Sequence, residues 1–483
     1  MYNSIQYFND YGVTKIEEEI KNFIKEGKNI ADLVLDLQDN LFELGRDILK
    51  EVLEDMDEYL RNDEVRKKSW DIVRKDETSI LTSFGTIKYD RTYFKSKKDG
   101  KRHYLVDDIV GIKPHERMSA DVVINAIDEA AESSYRKAGE KAAYMDEISK
   151  QAVMDKIHNL DFVESKAESK TNEYERKNVK ILYIEADEDH VHLQQKGSNK
   201  KDKDIHSIAM PRIVYVHEGI DYNKSSKNRK VLKNVKYFGG MYENTEDLWL
   251  EVADYIDKQY NIDFVETIYL SGDGASWIRQ GVNWIPKSRF VLDKYHLEKY
   301  ITTATAHLND ETIRQELKDA IDWPDKEMVK KVFKKILGLT ESKSKKAAVK
   351  GAEQYILNNW DGIEIRDEKG FEIIGCSTEG HVSHVFSDRL SSRPKGWSKL
   401  GVSKMSKLLI YKNNGGKVYD LVMAQKINKE KEKKEYIQDE LIKEVRNSAN
   451  RYNDTWNSRP TAIARGEKTG LYNELRAIIG RCG

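Results

Sequence analysis

Residues 178–297 run three apolar, strand-like stretches in succession and then alternate helix with strand, an order that few folds accept. "NVKILYIEADEDHVHLQ" and "DIHSIAMPRIVYVHEGI" flank a Lys-rich turn, and "KVLKNVKYFGGMY" supplies a third strand. "TEDLWLEVADYIDKQYN" has helical spacing. "VETIYLSGDGASWI" reads as a strand ending in Asp273, and "SRFVLDKYHLEKYI" as a strand leading into a helix. Strands joined by short turns are antiparallel and strands joined through a helix run parallel, so the segment predicts a mixed α/β sheet. The first strand runs straight into Glu185, Asp187, Glu188 and Asp189, with His190 and His192 behind them.

The rest of the chain is arranged around that sheet. Residues 298–370 are almost purely helical, and 371–425 return to a short strand followed by a helix that begins near Ser377 or Thr378. The all-helical block therefore interrupts the α/β domain, whose two parts are 178–297 and 371–425. Upstream, 1–76 reads as amphipathic helix, with apolar residues every three or four positions from 14 to 76. Residues 77–112 read as a small β-hairpin unit turning at Lys98-Asp99-Gly100. Residues 113–160 have the outline of a helix-turn-helix, or of an ordinary helical hairpin. Ser149 caps its second helix, and Lys150, Gln151 and Lys156 lie on its outer positions. Residues 161–177 read as a polar linker and 426–483 as a basic, helical tail.

Lys+Arg number 82 against 83 Asp+Glu, a formal net charge of -1, which alone argues against a nucleic-acid partner. The charge is unevenly spread, however: residues 380–483 hold 21 Lys+Arg against 11 Asp+Glu, and such a segment can follow a phosphate backbone. No run approaches the roughly 18 apolar residues of a membrane span, and "MYNSIQYFNDYG" lacks the pattern of a signal peptide. The expected location is the cytoplasm. Two cysteines, Cys376 and Cys482, support neither a disulfide framework nor a zinc ribbon.

Three acids stand out: Asp187 at the end of the first strand, Asp273 at the end of the fourth, and Glu379 at a helix start after the insert. If the first and fourth strands are neighbours, these side chains converge. Carboxylates held together raise one another's pKa unless a cation neutralises them. With hard oxygen ligands and no thiolate, that cation is Mg²⁺ or Mn²⁺. Two such ions suit phosphodiester displacement. Asp189 would share a strand face with Asp187 if the strand continued, which makes it the alternative first acid. Taken singly the residues mean less, since Asp273-Gly274 is an ordinary turn pair and Glu379 also suits a helix amino terminus. The pairs His190/His192 and His381/His384 could bind a transition metal, but neither has a recognised zinc spacing.

The aspartate in "EADEDHV", the second in "LSGDGASWI", the following "DKYH" and the glutamate in "STEGHVSHVFSDRLSSRPKGW" together resemble a DDE transposase of a bacterial insertion sequence. The likeness is to the Mutator-like superfamily, and within it to the Lre-type family, long known as an uncharacterised protein family. The resemblance implies a ribonuclease H-like catalytic domain with a helical insertion, preceded by a helical DNA-binding region with the small β-hairpin. It implies Asp187, Asp273 and Glu379 as metal ligands. Asp293 and His296 would match a Cys-or-Asp, two residues, His motif, with His296 near the scissile phosphate or bracing the acids. Terminal inverted repeats and target DNA would be the partners, with a homo-oligomer assembled on DNA. Arg389, Arg393, Lys395, Lys399, Lys404 and Lys407, interrupted by Trp397, would suit DNA backbone contact. The rival readings are a metal-dependent nuclease without strand transfer and a non-catalytic DNA-binding protein.

Overall fold

Asn29 caps the 33-residue helix Ile30–Asn62 by accepting from the Ala31 N–H at 3.1 Å, and the Asp32 carboxylate accepts from the Asn29 N–H at 3.2 Å. The structure is a computed structural model that describes residues 2–27, 29–144, 146–162, 176–194, 208–227, 229–393 and 396–431. Most of the expected linker 161–177 and most of the tail 426–483 lie outside those residues. The chain divides into two compact units. Among the described residues, those within 2–80, 87–117 and 424–431 form one, and those within 81–86 and 118–423 form the other.

In the first unit the long helix lies on a three-stranded sheet of β1 (Trp70–Thr82), β2 (Gly85–Ser96) and β3 (Arg102–Tyr104), in that order. Leu53 and Leu60 of the helix pack with Trp70, Ile80, Ile87, Tyr89 and Phe94 of the sheet and with Leu105 and Val106. Asp57, buried in this contact, accepts from Thr92 N at 2.8 Å and Thr92 Oγ1 at 2.6 Å, so no polar group of the pair goes unsatisfied. Helix was expected through residue 76, but it ends at Ser69. Arg66 closes the helical segment, donating to Leu60 O at 2.8 Å and Trp70 O at 3.2 Å. The β-branched Ile72 and Val73 then continue as strand. The expected turn is present, with Gly100 at φ +72°.

The second unit holds the mixed sheet: β4 (Ile181–Glu188), β7 (Arg212–His217), β8 (Lys236–Gly240), β9 (Thr267–Gly272) and β10 (Ser288–Leu292). β5 (Val191–His192) and β6 (Ile208–Ala209) pair separately. The five strands lie in the order β10-β9-β4-β7-β8. β4 is parallel to β9, β9 is parallel to β10, and both β4–β7 and β7–β8 are antiparallel. One face, carrying Leu182, Ile184, Ala186, Val214, Ile268 and Leu270, packs with Trp249 and Val252 of helix Thr245–Gln259 and, through one continuous core, with Phe333, Val349 and Ile356 of the insertion. Each large side chain so buried is worth roughly 2–3 kcal/mol. The insertion itself is helical as expected: Glu311–Asp322, Lys326–Leu339, Lys343–Asn358 and Trp360–Lys369 follow Lys294–Thr305.

Two expectations change here. The region 113–160 forms three helices, Ala120–Glu132, Tyr135–Glu140 and Lys150–His158, with nine residues between the last two. A DNA-reading helix-turn-helix uses a turn of about 3–4 residues. Val122, Ile127, Val153 and Ile157 instead share a core with Met405 and Leu408 of helix Lys399–Asn413. The short strand expected after residue 370 is also absent. Residues 373–377 pair with no strand, and the Ser377 N–H donates to a side chain, the Glu185 carboxylate.

Candidate active site

Parallel pairing of β4 with β9 sets Glu185 beside Ser271. The pairing ends there: Asp187 lies two residues further along β4, on the side of the sheet that also carries Tyr183 and Glu185, and Asp273 follows directly after β9, close enough to raise the Asp187 pKa. Gly272 permits this approach, since a Cβ there would stand 2.9 Å from Ala186 O. After β9 the chain turns at Gly274, with φ +86°, where a Cβ would meet Asn359 Oδ1 at 2.4 Å, so only glycine fits. Asp273 Oδ1 accepts from Ala275 N at 2.8 Å, and Tyr355 of the insertion donates to the Asp273 carbonyl.

β10 delivers a third group. The Asp293 N–H donates to Gly272 O at 2.8 Å, tying the ends of β9 and β10 together. The Asp293 side chain caps helix Lys294–Thr305 and accepts from His296 Nδ1 at 2.9 Å. That bond, with smaller contributions from Asp187 and Asp273, raises the His296 pKa. His296 Nε2 has no partner among the described residues.

Glu379 is exposed in the first turn of helix Thr378–Val382. The segment before it is anchored by the buried Glu185, whose Oε2 accepts from Ser377 N at 2.6 Å, Ser377 Oγ at 3.1 Å and Tyr215 OH at 2.5 Å. Gly219 N donates to His217 Nδ1 at 3.2 Å, so the Nε2–H of His217 is the one directed at Glu185 Oε1, 3.1 Å away. Burial pushes the Glu185 carboxyl up, but His217, Tyr215 and Ser377 together hold it below the usual range. His381, one turn along, stacks on Tyr215 at 4.4 Å and meets the Tyr237 hydroxyl at 2.7 Å.

Asp187 behaves oppositely. Burial is the main reason its pKa is pushed up to about 6. Asp273 and Glu379 add to the rise, while the Glu188 N–H and His296 oppose it. All four expected catalytic groups, Asp187, Asp273, Glu379 and His296, thus act on one electrostatic neighbourhood. Among the described residues, no three His, Cys, Asp or Glu side chains are already arranged to hold a metal ion. The donor set, three carboxylates and no thiolate, is nonetheless of the chemical type that suits a hard divalent cation.

Asp189 is a different residue in kind. It is buried and accepts from Ser391 Oγ at 2.8 and 2.9 Å, so its carboxylate is committed to holding that loop. The expected DNA-contacting residues divide. Lys150, Gln151, Arg393 and Lys399 are exposed, Lys156 is half-buried, and Lys395 lies outside the described residues. Arg389 is corrected. It is buried, donates from Nε to Ala130 O at 2.7 Å and lies over Tyr135 and Trp397, with its pKa lowered to about 10 by burial. A guanidinium placed there cannot reach phosphate. From sequence Glu185 was noted only as part of the acidic run and Ser377 only as a helix start, and Tyr215 and His217 were not singled out. The available signal was the two-residue spacing of Glu185 from Asp187, which puts both on one strand face.

The family described as Uncharacterised protein family (UPF0236) matches residues 23–429. A UPF0236 protein carried at eleven loci of Caldanaerobacter subterraneus subsp. tengcongensis is 41% identical over 458 residues, 95% of this chain and 93% of its own length. The UPF0236 protein in the vanSb 3' region of Streptococcus gallolyticus is 24% identical over 412 residues, 83% of this chain and 86% of that one. Among solved structures, the Drosophila P element transposase strand transfer complex aligns with 63% of this chain and 81% of that chain. Its identity of 11% and TM-score of 0.21 make the likeness too slight to assign a fold. No helix among the described residues is long and apolar enough to cross a membrane.

Proposed function

The chain belongs to the UPF0236 family, and we propose that it is a DNA transposase of an insertion sequence, cutting and joining DNA ends at Asp187, Asp273 and Glu379. The observation that supports this reading is the parallel pairing of β4 with β9, which brings Asp187, near the end of β4, and Asp273, just after β9, to the same end of two neighbouring strands, where Asp273, Glu379 and His296 all bear on the Asp187 carboxyl. The strand order, with the first strand central and the second antiparallel to it, supports a ribonuclease H-like sheet. The presence of a relative at eleven loci of one genome supports a mobile element.

In this reading the three carboxylates hold one or two Mg²⁺ or Mn²⁺ ions. When bound, such ions polarise a phosphodiester and lower the pKa of the attacking hydroxyl. Water adds to phosphorus as the P–O3′ bond breaks, leaving a 3′-hydroxyl and a 5′-phosphate. The freed 3′-hydroxyl oxygen then attacks a target phosphorus and displaces the target's O3′, its own proton going to solvent. His296, oriented through Nδ1 by Asp293, donates from Nε2 to a phosphate oxygen. Glu185 and Ser377 hold the backbone from which Glu379 projects.

The test is metal-dependent cleavage and joining of DNA ends from the element, comparing wild type with Asp187→Asn, Asp273→Asn, Glu379→Gln and Asp189→Asn. The first three should lose both steps, by at least about 10³-fold, while still binding DNA, and the Asp189 variant should keep them. Cleavage without joining would make the protein a nuclease. Activity surviving in the first three variants would refute the site.

A further inference from the structure

In the first unit charge is sorted by element. Residues 3–69, the helical part, hold 17 acidic against 10 basic side chains, whereas residues 70–103, which form the sheet, hold 9 basic against 5 acidic. The densest stretch is "KSKKDGKR", residues 95–102, with five cations and one carboxylate in the turn joining β2 to β3. From this we infer that the β2–β3 hairpin is a duplex-DNA grip, a ribbon that holds the phosphate backbone. The choice of DNA as its ligand rests on the transposase reading above.

The geometry of the hairpin carries this inference. Its inner face is used up: Thr92, Phe94 and Ser96 of β2 are buried. Its outer face is solvated and pairs Tyr93 with Tyr104 and Lys95 with Arg102 directly across the strands. Lys95 and Arg102 are exposed and carry no ion pair among the described residues. The two tyrosines stack at 4.6 Å, with Arg74 over one ring at 4.5 Å and Arg91 over the other at 3.7 Å. Because those guanidiniums cover the rings and pair with Asp76 and Asp107, the tyrosines are not free to stack on bases. Contact with phosphate, independent of sequence, is what the face offers.

The tip is rigid before any ligand arrives. Ser96 N donates to Lys101 O at 2.7 Å and Gly100 N to Ser96 O at 3.0 Å. Ser96 Oγ accepts from Lys98 N at 3.3 Å and Asp99 N at 3.4 Å. Asp99, the single acid of the stretch, accepts from Lys101 N at 3.1 Å and pairs with the Lys101 ammonium at 3.3 Å, and Lys97 pairs with Asp71 at 3.3 Å, which leaves Lys95 and Arg102 as the cations offered to a ligand. β2 is the middle strand, and Lys97 N donates to Ser69 O at 2.9 Å on the β1 side, so the tip presents the end of a three-stranded sheet to a phosphate row. Because Lys95 and Arg102 are held on a preformed sheet end, less ordering entropy is lost on binding.

The test uses the full-length protein and a duplex carrying an element end, with binding followed by fluorescence anisotropy across a salt series. Lys95→Ala/Arg102→Ala is compared with wild type and with Lys330→Ala/Lys334→Ala on the insertion as a control. Both hairpin residues are exposed, so the variant should fold, which circular dichroism checks. The expected result is affinity lower on the order of tenfold at 0.1 M salt, and a salt slope smaller by about 2, with the control unchanged. Equal affinity and slope in variant and wild type would overturn the inference, as would a deficit seen with anionic vesicles and not with DNA, or a wild type that binds no duplex. A reduced slope in a protein that never cleaves DNA would uphold the grip and refute only the catalytic reading.

Discussion

Replacing Asp187 with Asn should make the metal-free protein more stable at pH 8. In the folded chain its carboxyl is raised from an ordinary 3.8 to about 6, by burial first and by Asp273 and Glu379 after it. The folded state therefore keeps a proton that the unfolded chain gives up at lower pH. Stability from this residue is greatest below about pH 4, falls as pH rises through the window between the two values, and the full penalty applies above about pH 6. Two units at about 1.4 kcal/mol each give roughly 3 kcal/mol, which partial contact with solvent trims to about 2 kcal/mol. Asn cannot ionise and escapes the penalty.

The assay is urea unfolding at pH 4, 6 and 8, with chelator and with excess Mg²⁺. Asp187→Asn should exceed wild type by about 2 kcal/mol at pH 8 with chelator and lose that advantage by about pH 4. Mg²⁺ should restore the wild type and leave the variant unmoved, since an ion that binds only the folded state stabilises it by mass action. If the variant were less stable than wild type at pH 8 in chelator, Asp187 would be making net favourable bonds, and the view of it as a strained, ion-seeking acid would fail.

Two further substitutions separate support from chemistry. Glu185→Gln keeps the shape but loses the charge that three donating side chains and one N–H address, so it should cost about 2–4 kcal/mol of stability. It should also weaken Mn²⁺ binding, read by paramagnetic relaxation, through a displaced Glu379. Unchanged Mn²⁺ affinity would show that Ser377 does not need its anchor. Arg389→Ala, which removes a buried cation stacked on Tyr135 and Trp397, should destabilise by about 2–3 kcal/mol and leave the salt dependence of DNA binding unchanged. A reduced salt slope there would return Arg389 to the DNA surface.

The sheet was legible because β7 and β9 are buried along nearly their whole length and read as short apolar runs, and because acids at the ends of β4 and β9 break the pattern abruptly. Strand position alone favours Asp187 over Asp189, and the bond from Ser391 to Asp189, a contact spanning 202 residues that no local pattern announces, adds to that preference. Arg389 misled for the same reason. In sequence it stands among lysines, and only the folding of Tyr135 and Trp397 around it shows that it faces inward. The strand beginning at Trp70 was hidden because its outer positions are charged and its buried residues, Trp70 and Ile80, sit at its two ends. The polar cluster at Glu185 draws on β4, β7 and the residue before helix Thr378–Val382, and strand-by-strand reading does not join them.

The bond between Glu185 and Ser377 also orders events in time. It joins residues 192 positions apart, with the helical insertion between them. At ribosomal rates of about 5–20 residues per second, β4 emerges roughly ten to forty seconds before its anchor partner. Throughout that interval the nascent chain owns two of its three acids and lacks the segment that brings the third. If the proposed transposase reading holds, a centre that is completed only when synthesis has passed the insertion cannot cut DNA from a half-made or truncated chain. The long excursion thus serves as a delay, and truncation anywhere before residue 377 should yield a protein that is inert toward DNA cleavage.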